Sequence, residues 1–198
     1  TAFVEELAQA VHSQGKKLAL SLPARTTYGW YRAYDYAALG KVADQVAIMA
    51  YDYSPGQAGP QTSIRWVRDV VDYTLERIPA HKVLLGLGIY GRDWSDAGRR
   101  TVLWIPSELG SLVSDLNQLK ARYNPEIKWD SEAMLPYFTY TDEKGSAHTV
   151  WYESIDSLKP KLDLVREKGL GGVAVWRLGY TTPEFYQLLQ SYFAPQKF

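Results

Sequence analysis

The sequence predicts an α/β protein built on a parallel sheet with covered faces. Four short apolar runs, 18–23, 45–51, 82–90 and 171–176, read as buried strands, rich in Val, Leu, Ile and Ala. Segments of helical periodicity separate them, most of them closed by Gly or Pro. Strands that alternate with helices pair in parallel, with the helices packed over the sheet.

Taken in order, Ala2 to Gln14 sets Phe3, Leu7 and Val11 on one helical face and stops at Gly15. Leu18-Ala-Leu-Ser-Leu-Pro23 is a strand closed by proline. A loop rich in Tyr, Trp and Gly runs to Tyr34, a short helix covers 36–43, and the second strand runs from Gln45 to Tyr51. A Gly/Pro loop, 54–60, leads to Thr62 and Ser63, both good helix N-caps. Ile64, Val67, Val71, Leu75 and Ile78 follow at helical spacing, and Pro79 ends that helix. Lys82 to Tyr90 is the third strand. The alternation then breaks. Ser107–Tyr123 reads as a helix, and Pro136–Tyr152 as a hairpin around Asp142-Glu-Lys-Gly145. It resumes with a helix over 154–168, stopped by Gly169, then the strand Gly172-Val-Ala-Val-Trp176. Thr182 caps a closing helix, Pro183 to Phe193.

Composition narrows the function. The chain has 198 residues, enough for one domain with a sizeable core. It has no cysteine, which excludes a disulfide scaffold, thiolate zinc sites and thiol catalysis. Its 22 basic and 22 acidic side chains balance, which argues against a nucleic-acid partner. No apolar run approaches the roughly 20 residues of a membrane span. The opening residues read as an amphipathic helix and not as a signal peptide. Aromatic residues make up 14% of the chain, and Tyr and Trp join an apolar face to a polar edge. Two architectures fit: a small open doubly wound sheet, or part of a (β/α)₈ barrel, which needs eight strands and about 250 residues. Part of a barrel leaves sheet edges unpaired and an apolar face bare, to be covered by the missing half or by self-association.

In either architecture ligands meet the carboxyl ends of the strands. Those ends read Tyr51-Asp52-Tyr53, Tyr90-Gly91-Arg92-Asp93-Trp94 and Trp176-Arg177. None is a glycine-rich phosphate loop, so a nucleotide or flavin is not expected, and a free-standing flavodoxin-like module is disfavoured. Aromatic rings interleaved with carboxylates and arginines suit a carbohydrate, with rings on the apolar sugar faces and charged groups on the hydroxyls. Singly, each residue has a plainer role: Asp52 as a loop cap, Arg92 in a surface salt bridge, the rings as a lid on the core.

Gln45-Val-Ala-Ile-Met-Ala-Tyr-Asp52 resembles the Met-x-Tyr-Asp strand of glycoside hydrolase family 18, the chitinase-like (β/α)₈ enzymes. Gly88-Ile-Tyr-Gly-Arg92 resembles the seventh strand of that family, and Gly171-Gly-Val-Ala-Val-Trp176 its eighth, with the tryptophan that floors the central sugar subsite. The hairpin segment, within 95–153, is similar to the small α+β insertion between those strands. Ala33-Tyr-Asp-Tyr-Ala-Ala-Leu-Gly40 and Val150-Trp-Tyr-Glu153 are similar to the branch acting on bacterial cell-wall or spore-cortex glycans, often fused to LysM modules. The family's acidic run, Asp-x-x-Asp-x-Asp-x-Glu on the fourth strand, has no counterpart here. Asp130-Ser-Glu132 follows a polar segment instead of a buried strand and reads as a decoy. The resemblance therefore implies strands five to eight of the barrel, residues 1–198, with the general acid upstream.

The resemblance further implies retaining hydrolysis assisted by the substrate's own acetamide, a recognised exception to two-carboxylate glycosidases. Tyr51 would donate its phenol to the acetamide oxygen, and Asp52 would hydrogen-bond the same region. Met49 would line the pocket floor and Trp176 would stack beneath the sugar, with Tyr90 and Arg92 at the subsite edges. No metal or cofactor is needed. The partner implied is an N-acetylglucosamine-containing glycan, and the setting is extracellular, cell envelope or spore. The alternative is a non-catalytic, lectin-like binder of the same glycans. Trp30, Tyr31 and Tyr34 are candidates to extend the cleft. His12, His81 and His148 lie away from strand ends and read as surface residues.

Overall fold

The computed structural model describes residues 1–27, 33–53, 56–96, 100–104 (main chain only), 116–177, 179 and 181–194. In chain order the elements are α1 (Ala2–Ser13), β1 (Ala19–Pro23), α2 (Tyr36–Val42), β2 (Gln45–Met49), α3 (Ile64–Leu75), β3 (Val83–Gly88), β4 (Tyr90–Ser95), β5 (Arg100–Trp104), α4 (Leu116–Tyr123), β6 (Lys128–Asp130), β7 (Leu135–Thr141), β8 (Ala147–Tyr152), α5 (Ile155–Glu167), β9 (Gly172–Trp176) and α6 (Pro183–Tyr192). They divide into two compact units, the first comprising Thr1–Tyr51, Arg65–Leu87 and Asp163–Val175, the second Asp52–Ile64, Gly88–Leu162 and Trp176–Phe198.

The first unit is the parallel sheet, in the order β1-β2-β3-β9. Ala19 pairs with Gln45 and Val46 with Val83, so residues of one parity share a face across three strands. Leu22, Val46, Ile48, Val83, Leu85 and Leu87 share the closed face, each at most 2% exposed. Across the sheet, Ala19 and Ser21 are exposed, and Ala47, Met49 and Leu84 half-buried. Only one face is fully covered, where a doubly wound sheet would close both and part of a barrel would leave one bare. β1 and β9 are the sheet edges. Gly86 is required by packing: a Cβ there would lie 2.3 Å from the Ile48 carbonyl oxygen. The helices follow the predicted boundaries to within a few residues, and α1 packs through Ala8 with Val4, Leu7 and Val11 half-buried. Phe3 is 73% exposed and does not belong to that face.

The second unit is an antiparallel sheet in the order β5-β4-β8-β7-β6. Its β7–β8 hairpin closes at Asp142–Gly145 as expected, with Gly145 at φ +83, a left-handed value that glycine adopts freely. Three further strands were not anticipated. The third apolar run does not continue to Tyr90: β3 ends at Gly88, and Tyr90 opens β4 in the other sheet. Leu116, Phe138, Val150 and Tyr152 form one core cluster, with Leu119 and Tyr140 packed against it. Ala133, Leu135 and Trp151 form a second, and Tyr137 stacks on Trp151 with ring centroids 4.6 Å apart. The predicted Ser107–Tyr123 helix is present as α4 from Leu116 onward, and residues 105–115 lie outside the described residues. Asp130 accepts hydrogen bonds from the Glu132 and Ala133 amides, so the Asp130-Ser-Glu132 motif is a turn cap.

His148 departs from the surface reading. Its side chain is 15% exposed, with Nδ1 2.8 Å from Asp93 Oδ1 and Nε2 3.6 Å from Asp142 Oδ2. Tyr140 stacks on its ring and donates to the other Asp93 oxygen at 2.6 Å. Burial first, and then the Asp93 carboxylate, raise the Tyr140 phenol well above its ordinary value. Among the described residues no helix is long and apolar enough to cross a membrane.

Candidate active site

The second parallel strand stops at Met49, two residues earlier than the sequence suggests. Met49 lies on the half-buried face with Gln45 and Ala47, and the Tyr51 amide donates back to the Met49 carbonyl at 2.9 Å. The chain turns here instead of extending. Asp52 then adopts φ +66, a left-handed conformation that Asp tolerates better than most residues. The tight exit follows from β2 ending at Met49, with the Tyr53 amide donating to the Gln61 carbonyl at 2.9 Å.

Within the second unit three of the singled-out residues come together. The Tyr90 hydroxyl donates to Asp52 Oδ1, and so does Arg92 through Nη2 and, at 3.1 Å, through Nε. The guanidinium is 9% exposed and the Asp52 side chain 46%. Arg92 also sits over the Tyr90 ring, 5.3 Å from its centroid. Tyr90 and Arg92 share a face of β4 because alternate strand residues do. All three donors converge on one carboxylate oxygen. Asp52 Oδ2 takes no hydrogen bond from the described residues. Burial, followed by the hydrogen bond to Asp52, pushes the Tyr90 phenol far above its ordinary value, so it stays a donor. Arg92 is therefore not a surface salt bridge: its side chain is buried and bonds the Asp52 carboxylate.

Behind this trio is a polar layer in which sequence reasoning singled out no site residue. Gln61 Nε2 donates to the Tyr90 carbonyl at 2.7 Å, and the Glu153 amide donates to the same oxygen at 3.2 Å. The Thr62 hydroxyl, expected as a helix cap, instead donates to Glu153 Oε1. The Glu153 carboxylate also receives Ser157 Oγ at 2.5 Å and Lys161 Nζ at 2.9 Å. Thr62, Glu153, Ser157 and Lys161 are each at most 2% exposed. The available signal was a Glu-x₃-Ser-x₃-Lys spacing, which sets all three on one side where α5 begins. Trp176 ends β9 half-exposed at 50%, while its carbonyl accepts from the Ile89 amide at 3.1 Å. Tyr34 is half-exposed and its carbonyl accepts from Arg25 at 3.1 Å; Trp30 and Tyr31 lie outside the described residues.

An aspartate held on one oxygen, with no hydrogen bond to the other among the described residues, can accept a hydrogen bond from a polar ligand. Residues 1–180 match the family model for glycosyl hydrolases family 18. The chain belongs to glycosyl hydrolase family 18. A Bacillus subtilis (strain 168) protein called cortical fragment-lytic enzyme is 32% identical over 200 residues, covering 96% of this chain and 45% of its own length. Among solved structures, a chitinase from Chromobacterium violaceum ATCC 12472 superposes with a TM-score of 0.86 at 34% identity, over 98% of this chain and 61% of the other. The spore cortex-lytic enzyme SleL of Bacillus megaterium QM B1551 gives 0.81 at 31%, over 98% of this chain and 45% of the other. The family 18 chain thus spans about half the length of the curated relatives it matches.

Proposed function

We propose that this family 18 chain supplies strands five to eight of a (β/α)₈ catalytic domain, with residues 95–153 as an α+β insertion, and that the whole domain hydrolyses β-linked N-acetylglucosamine glycans, peptidoglycan of cell wall or spore cortex, or chitin. The parallel sheet with β1 and β9 at its edges and the half-length match to its relatives support the first part. The observation that carries the second is the Asp52 carboxylate, held on Oδ1 by Tyr90 and Arg92 and with no hydrogen bond to Oδ2 among the described residues. The printed names of two relatives, a cortical fragment-lytic enzyme and a sporulation-specific glycosylase, support a spore or cell-envelope setting.

In this reading an upstream carboxylic acid protonates the glycosidic oxygen as the bond to the anomeric carbon breaks. The substrate's acetamide oxygen closes on that carbon, and positive charge spreads into the acetamide. Water then opens the ring intermediate from the first face and returns the proton to the acid, so configuration is retained. Tyr51 hydrogen-bonds the acetamide oxygen, and Asp52 Oδ2 accepts the acetamide N–H, whose acidity rises with the charge. A fixed acceptor of that kind favours the transition state over the neutral substrate. Met49 lines the floor and Trp176 provides the stacking surface. The 198-residue chain alone lacks the positioned acid, a role worth about 10²–10⁴-fold, and turns over no glycan.

The test uses the domain together with its upstream segment, on chitooligosaccharides and on muropeptide glycan, with the anomer formed followed by NMR. Cleavage with retention is expected. Inversion contradicts the mechanism, and tight binding without cleavage points to the lectin-like alternative.

A further inference from the structure

We infer that the buried Lys161–Glu153 pair, acting through Thr62 and the main chain of Tyr90, is the positioning device that aims Tyr90 and Asp52 at each other. The inference rests on the site reading given above.

The energetics of the pair are the first argument. Both charges are at most 2% exposed, and two apolar side chains of similar volume would fill the space at no electrostatic cost. Stability alone does not explain the pair, so its geometry must. Each Glu153 oxygen is used: Oε1 by Thr62 and Lys161, Oε2 by Ser157 at 2.5 Å and Lys161 at 3.3 Å. Lys161 Nζ completes its set on the Ser157 carbonyl at 3.0 Å. Ser154 and Ser157 cap one another reciprocally at the start of α5, which fixes the base on which Glu153 stands.

The second argument is where the bonds lead. From Glu153 one path runs through its own amide to the Tyr90 carbonyl. The other runs through Thr62 to its neighbour Gln61, whose carbonyl holds the Tyr53 amide, the residue after Asp52. Gln61 Nε2 ties the two paths together at the Tyr90 carbonyl, and the Tyr90 hydroxyl closes the circuit on Asp52. Two segments 38 residues apart are thereby held at hydrogen-bond precision by a layer that does not reach solvent. Catalytic groups need placement of about 0.5 Å, and such placement comes from supports of this kind.

The test is made in the domain carrying its upstream segment. Thr62→Val removes one donor at nearly constant shape, and Thr62→Ser keeps it. Two readouts are followed: steady-state kinetics, and the NMR resonance of the Tyr90 ring carbon that bears the hydroxyl, which senses the bond to Asp52 without any substrate. Thr62→Val is expected to shift that resonance and to lower kcat by about 10-fold to 10²-fold with KM within about twofold, since small misplacements act on the chemical step. Thr62→Ser is expected to restore both. An unmoved resonance overturns the inference, as does a moved resonance with native kcat while Asp52→Asn lowers it, or a KM change matching the loss in kcat. Native turnover in Asp52→Asn overturns the site reading instead, and the resonance then still decides whether the device exists.

Discussion

The two units hold their charges differently. In the parallel-sheet unit the ion pairs among the described residues lie toward solvent: Arg68 with Glu167 at 2.7 Å, Lys168 with Asp72 at 2.7 Å, His12 with Asp44 at 2.8 Å, while the buried guanidinium of Arg25 lies over the Tyr36 and Tyr73 rings. In the antiparallel unit, beside the exposed pairs Arg122–Glu143 and Lys159–Asp156, ion pairs with at least one buried member recur: Lys161 with Glu153, Arg92 with Asp52, His148 with Asp93. A parallel sheet built from continuous Val, Ile and Leu runs needs no polar guidance, because area burial alone sets its packing. Buried charges add little net stability but punish any misplacement. The unit that carries them has orientation to maintain, and that is where the Asp52, Tyr90 and Arg92 side chains meet.

Substitutions sharpen this contrast. The largest expected effect is Lys161→Met, which strands the Glu153 carboxylate and should lower stability by about 3–5 kcal/mol in urea unfolding. A loss below 1 kcal/mol would break the contrast. Next comes Gly86→Ala in the parallel sheet, where a methyl 2.3 Å from the Ile48 carbonyl oxygen must push two strands apart, at about 1–3 kcal/mol. A smaller effect concerns pH. The Ser146 amide, then Lys144 and His148, hold the Asp142 carboxyl below the ordinary carboxylate range despite a partial desolvation that opposes them. A lowered folded value means that the hairpin gains stability from this group above the unfolded value of about 4 and loses it as pH falls through the folded one. The acid limb of the unfolding curve should flatten in Asp142→Asn and keep its slope if the turn contributes nothing. Least of all, Arg68→Ala breaks an exposed pair and should leave the unfolding midpoint nearly unmoved.

The same contrast explains what could be read without coordinates. Continuous apolar runs, glycine and proline stops, and the Thr182–Pro183 cap placed all four parallel strands and most of the helices. The antiparallel sheet was legible only in its β7–β8 hairpin around Asp142–Gly145. β6 is three residues long, and β4 continues an apolar stretch whose switch of sheet leaves no composition signal. Tyr51, Asp52, Tyr90, Arg92 and Trp176 stood out because strand ends collect ligands in α/β folds, and Met49 through the family resemblance. That Arg92 serves Asp52 depends on an approach across 40 residues, which no spacing rule encodes. His148 looked like a surface residue because a histidine in a polar stretch of sequence carries no mark of the two aspartates around it.

The central claim is that the Asp52 carboxylate, aimed by Tyr90 and Arg92, serves the charge that develops on the substrate's acetamide. Comparing kcat/KM of Asp52→Asn with the native domain on a chitooligosaccharide, in the protein that carries the upstream segment, tests it most directly. The amide keeps the shape and removes the charge, so the account predicts a loss of about 10²–10³ in kcat/KM, mostly in kcat, in a domain that still folds. A folded Asp52→Asn domain with kcat within twofold of native would contradict it.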